Sequence, residues 1–162
     1  MIQPALNAAA AVLLCAIGVA TAVAGAPAPV NAALPAALVG AWVSDDADGA
    51  QQCRSYRDTS APLANDGVGL IGMLLISPGQ MHRVAEMMEG DFYTPTSVES
   101  PRADQWAVTA IEQFDGPLDG QDANQVTVHL VLQDEVLWLS VDADQPGADH
   151  QVWRRCSRKL PY

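Results

Sequence analysis

The chain has 162 residues and a formal net charge of −11, a length that suits one domain built round one core. With 49% of residues hydrophobic and 17% charged, it is not a disordered chain. Its one basic cluster, Arg154, Arg155, Arg158 and Lys159, is short and terminal, which argues against nucleic acid or an anionic membrane as a partner.

From Ala8 to Ala24 the sequence AAAAVLLCAIGVATAVA carries no charge, and Ala22-Val23-Ala24 supplies the small-x-small pattern that a signal peptidase accepts. Residues 1–24 are therefore expected to be a secretory signal peptide. That makes the mature protein periplasmic or secreted, with no stable membrane insertion. The run is short and Ala-rich against the roughly 20 strongly apolar residues of a spanning helix; retention as an anchor is the alternative. Leu14 before Cys15 is too large for a lipidation signal. Residues 25–37, GAPAPVNAALPAA, read as an extended Pro/Ala-rich tether, and 38–162 as the folded domain. Cleavage removes Cys15 and leaves Cys53 and Cys156. In an oxidising compartment that pair is expected to form a disulfide. Closing a loop of about 100 residues adds roughly 4–5 kcal/mol at most in the chain-entropy account. Neither cysteine has the neighbours of a zinc site, so no metal and no cofactor is expected.

Alternation dominates the rest of the chain. VGLIGMLLIS (68–77) reads as a strand, Ser77-Pro78-Gly79-Gln80 as a type II turn, and MHRVAEMM (81–88) as the returning strand. RVAEMMEGDF could hold one helical turn, which Gly90 would end. In DQWAVTAIEQFD, Trp106, Val108, Ala110, Glu112 and Phe114 share a face. QVTVHLVLQ sets Val126, Val128, Leu130 and Leu132 on one side, and VLWLSVD sets Leu137, Leu139 and Val141 against Val136 and Trp138. HQVWRRC closes the series at Cys156. With Leu38–Val43 and Cys53–Tyr56 this makes about eight short strands and hardly a helix. The fold class expected is all-β: an antiparallel up-and-down barrel of about eight strands, closed so that no edge is left exposed. Such a barrel holds side chains or one small ligand.

The Gly40-Ala41-Trp42 triplet in the first strand resembles the opening motif of lipocalins and their calycin relatives. GMLLISPGQMHRV, VLWLSVD and HQVWRRC are similar to the hairpin and closing strands of bacterial lipocalin-like domain proteins. The resemblance implies that Trp42 packs across one end of the barrel beneath an Arg from the last strand, with Arg154, Arg155 and Arg158 as candidates. Stacking of this kind contributes roughly 0.5–2 kcal/mol.

Chemistry is harder to find. His82, His129 and His150 have no pairwise spacing of a metal site, and parity points His129 away from the apolar stripe. DDADG (45–49) looks like the start of a calcium loop, but Arg57 stands at the twelfth position, where a bidentate Glu is needed. No serine sits in a nucleophile elbow and no Gly-rich phosphate loop follows a strand. The Met73, Met81, Met87 and Met88 group suits an adaptable pocket wall, and equally a plain core. Three functions stay open. The first is a small apolar ligand in the barrel, touched by Met73, Met88, Trp106 and Trp138. The second is a protein-interaction module like the periplasmic protease inhibitors that share the Gly-x-Trp opening, with the tether as the contacting segment and a protein as partner. The third is a barrel enzyme, a cyclase or isomerase, using Glu86, Glu112 and His82; no catalytic residue can be assigned.

Overall fold

In the computed structural model, residues 32–58, 68–114, 124–142 and 150–161 are described. Eight antiparallel strands close in sequence order: β1 (Gly40–Ser44), β2 (Leu74–Ser77), β3 (Gln80–Val84), β4 (Gly90–Arg102), β5 (Gln105–Phe114), β6 (Asn124–Gln133), β7 (Val136–Val141) and β8 (Gln151–Ser157). The expected all-β, up-and-down barrel is observed, compatible with a lipocalin-like fold. β1 pairs with both β2 and β8, so the sheet has no terminal strand.

Strand alternation fills the barrel as expected. Val108 and Ala110 of β5, Val126, Val128 and Leu130 of β6, and Leu137 and Leu139 of β7 join Trp42, Ile76, Met81 and Trp153 in one interior cluster. His129 lies between two of these inward residues and is half-buried on the other face. Phe114, at the end of β5, is by contrast 65% exposed.

Four expectations are corrected. Cys53–Tyr56 is not a strand; it lies in helix α1 (Ala47–Asp58). The strand that completes the barrel is β4, whose two prolines and polar residues hid it; Pro95 is accommodated beside a register shift between Pro95 and Ser97. The hairpin around Gly79 is also shorter than expected. Val68–Leu70 and Glu86–Met88 are single 3₁₀ turns, and only Leu74–Ser77 and Gln80–Val84 pair. Gly79 does not have the positive φ that a type II turn needs; a positive φ occurs instead at Gly90, 126°, where β4 begins. A Cβ on Gly90 would overlap the Arg83 carbonyl oxygen.

Helix α1 starts because Asp46 accepts the Gly49 N–H at 2.7 Å as an N-cap, with Ser44 donating to the same carboxylate oxygen at 3.0 Å. These bonds hold the Asp46 carboxyl below its ordinary range. Gly49 packs so closely that a Cβ would overlap the Ser44 carbonyl oxygen. A second core forms between this helix and the outer face of the sheet, from Ala41, Val43, Tyr56, Leu70, Met73, Leu75, Val84 and Cys156. Cys53 and Cys156 form a disulfide within it, tying α1 to β8. No helix of the described residues is long and apolar enough to cross a membrane.

The barrel's lower end, where the short turns lie, is closed from the N-terminal side. Leu34 N–H donates to Pro78 O at 2.7 Å and Ala32 N–H to Pro95 O at 3.0 Å. Leu34 and Leu38 are buried in the interior cluster. The last part of the stretch read as a tether therefore packs as a plug, while residues 1–31, which include the expected signal peptide, lie outside the described residues.

Candidate functional site

Three regions could carry function: the barrel interior, the end bearing the long links, and the outer groove beside α1.

Inside, the side chains meet one another. Leu38, Trp42, Ile76, Met81, Val108, Ala110, Val128 and Leu137 are all 0% exposed, so no space the size of a water molecule touches them. Trp42 is fixed by its Nε1–H, which donates to Leu38 O at 3.0 Å, and by a guanidinium 4.0 Å above its ring. That guanidinium belongs to Arg155, which also donates to Val39 O at 2.9 Å, to Ala37 O and to Glu135. Burial lowers the Arg155 pKa, against the opposing pull of Glu135. Arg154, the other expected partner, points outward and pairs with Asp45 at 2.7 Å, which raises its pKa. Arg155, not Arg154, is the stacking residue. The alternation of β8 was the missed signal: Trp153 faces in, Arg154 out and Arg155 in.

The expected ligand contacts do not converge. Trp106 belongs to the interior cluster. Met73 lies in the second core under α1, and Met88 packs against the outside of that core. Trp138 sits between the inward Leu137 and Leu139 and faces out, paired with Val131 and Val152. One interior atom is notable: Trp153 Nε1 is buried with no hydrogen-bond partner among the described residues. Trp153 and Tyr93 rise from β8 and β4, on opposite walls of the barrel.

The proposed acid–base trio is also dispersed. His82 lies on the outer face, stacked on Phe92 with ring centroids 3.8 Å apart, its Nε2 3.2 Å from Glu89 O. Burial depresses its pKa, partly offset by the Glu89 carbonyl and Asp91. Glu86 is exposed on the 3₁₀ turn. Glu112 stands beside Tyr93 across β4 and β5. Burial first, then the charges of Asp91 and Glu112, push the Tyr93 hydroxyl above the usual phenol range. Arg83 and Asp91 form an ion pair of 3.0 Å next to them. This polar group rims the long-link end and does not form a nucleophile–base pair.

Outside, a cleft of about 490 Å³ separates α1 from the 3₁₀ turn, lined by residues including Asp48, Gln51, Gln52, Ser55 and Ile71. A second, of about 280 Å³, lies on the other flank of α1 against β1 and β8. Among the described residues, no three His, Cys, Asp or Glu side chains gather as a metal site.

Comparison of the chain with protein-family models, with curated proteins and with solved structures found no match.

Proposed function

We propose that this is an exported, non-catalytic binding module that engages a protein partner through its outer surface and the long-link end of its barrel. The carrying observation is the interior: eight of its residues are 0% exposed and the others of the buried cluster, Trp106, Val126, Trp153 and Tyr93 among them, are at 8% or below, which leaves little of the space a ligand carrier would keep open. The disulfide supports export, since such bonds persist in oxidising compartments. The exposed large apolar side chains among the described residues, Ile71 and Phe114, both stand at the long-link end, as expected of a surface that a partner covers. Residues 32–38 are engaged as the plug, so the tether's last part is not the contacting segment on this reading.

Affinity capture from periplasmic extract with wild type and Phe114→Ser tests it. A stoichiometric protein retained by wild type and lost with F114S, at unchanged melting temperature, supports the proposal. Equal capture by both, or no stoichiometric partner, counts against it.

A second reading, a small apolar ligand inside the barrel, is favoured by one observation: the unpartnered Trp153 indole N–H. A ligand bearing one acceptor would satisfy it. Native mass spectrometry of the protein as purified decides this, since a bound mass that disappears with Trp153→Phe supports a ligand and a bare chain with no response to added apolar probes removes it.

A further inference from the structure

The basic residues of this acidic chain are not spread evenly. Of the eight Lys and Arg, only Arg83 and Arg102 lie away from α1 and the 154–159 stretch. Arg54, Arg57, Arg154 and Arg155 line one cleft of about 280 Å³, whose wall includes Cys53 of the disulfide. Two acids, Asp45 and Asp46, share that lining. Asp46 is engaged as the N-cap of α1. The Arg155 guanidinium lies on the Trp42 ring inside the barrel, so three guanidiniums against two carboxylates leave the cleft locally cationic.

We infer that this cleft binds a compact oxyanion, the carboxylate or phosphate group of a small molecule. The cleft lies on the outer flank of α1, within the link from β1 to β2, and the inference does not depend on the protein-binding reading. Each arginine is suited to a different part. Arg57 is held in place because its Nε, at 2.9 Å, and its Nη2 donate to Cys156 O, which leaves Nη1 to point elsewhere. Arg54, on the exposed side of α1, has no ion-pair or hydrogen-bond partner among the described residues. Arg154 is paired with Asp45, but both are solvent-accessible, and such exposed pairs are weak enough for an incoming anion to compete. Planar guanidinium forks match carboxylate and phosphate oxygens. The volume admits a small anion rather than a polymer. The net charge of −11 does not prevent this, because salt screens charges beyond about 8 Å and the potential in the cleft is set by its own walls.

The test is a titration of the purified full protein, with its disulfide intact, followed by the NMR signals of the Arg54 and Arg57 Nε–H and the Ala50 and Cys53 amides. Inorganic phosphate is the probe in one arm and succinate in the other, with sodium chloride holding ionic strength constant. Saturable shifts at roughly millimolar probe, weakened at least about fivefold by Arg54→Gln at an unchanged melting temperature, support the site. Arg154→Gln serves as a second variant and is expected to weaken binding at least as much, because it removes a cation and leaves the Asp45 carboxylate unpaired beside the anion. The arm that saturates first names the group. Shifts that rise linearly and match chloride, or saturable shifts that R54Q leaves intact, overturn the inference.

Discussion

Arg155 does three jobs with one side chain, and its neighbour Arg154 does none of them. Its side chain is 5% exposed, lies on the Trp42 ring and donates to two carbonyls of the segment before β1. Arg155→Ala leaves those carbonyls and the indole face without their partner and is expected to cost about 2–4 kcal/mol in urea unfolding. Arg155→Lys should recover less than half, since an ammonium cannot fork to separate acceptors. Arg154→Ala should leave the midpoint where it is, because that ion pair is exposed; equal losses at both positions would refute the assignment. His82 makes a different prediction. Its pKa is depressed from 6.5 chiefly by burial, so the folded state prefers the neutral ring. The stability this contributes is fully present above pH 6.5 and is lost as pH falls below it towards the folded value, where the unfolded chain binds the proton first. Denaturant midpoints measured from pH 7.5 to 5 should fall less steeply in His82→Gln than in wild type; parallel slopes would assign the acid sensitivity elsewhere.

At the scale of elements, helix α1 depends on its staple. It is a polar helix that buries little beyond Gly49 and Tyr56, and its ties to the barrel include the disulfide, the Arg57 contact to Cys156 O and the Tyr56 hydroxyl donating to Lys159 O at 3.1 Å. Replacing both cysteines by serine removes a link between residues 103 apart, which is expected to cost up to about 4–5 kcal/mol. In hydrogen-exchange mass spectrometry the α1 amides should lose protection well before β4–β6 do. Simultaneous loss in both regions would show that the helix and barrel unfold as one unit. This weak amphipathicity is also why α1 was not legible in the sequence. Alternation exposed β5, β6, β7 and β8 because one side of each faces a dry core and the other water. In ADGAQQCRSYRD no such contrast exists, and the short Cys53–Tyr56 run read as a strand. β4 was hidden for the opposite reason: past Pro95 its residues are mostly exposed on both faces, and pairing to β5 alone sustains it. The count of eight was right while one member was wrong. The candidate site was less legible than the fold, because Met73 and Met88 owe their position to the second core, and that core exists only once α1 is recognised.

For the whole molecule, the decisive event is closure: the first strand must find the last. β1 pairs with β8 across more than a hundred residues of chain, for example Trp42 with Arg155, and such separations make folding slow because loop entropy is lost before contacts form. Refolding is therefore expected on the millisecond-to-second scale. The plug sits at the end of this sequence of events. Leu38 is fully buried and its carbonyl accepts the Trp42 indole N–H, but it can dock only on a barrel whose lower end already exists. Leu38→Ala is expected to destabilise by about 2–5 kcal/mol, as buried leucine truncations do. Because the plug docks after closure, nearly all of that loss should appear as faster unfolding, with the folding rate unchanged. Stopped-flow chevrons in urea separate the two limbs. A folding limb slowed in proportion to the lost stability would place the plug inside the nucleus, and would mean that the segment before β1 guides closure of the barrel instead of sealing it afterwards.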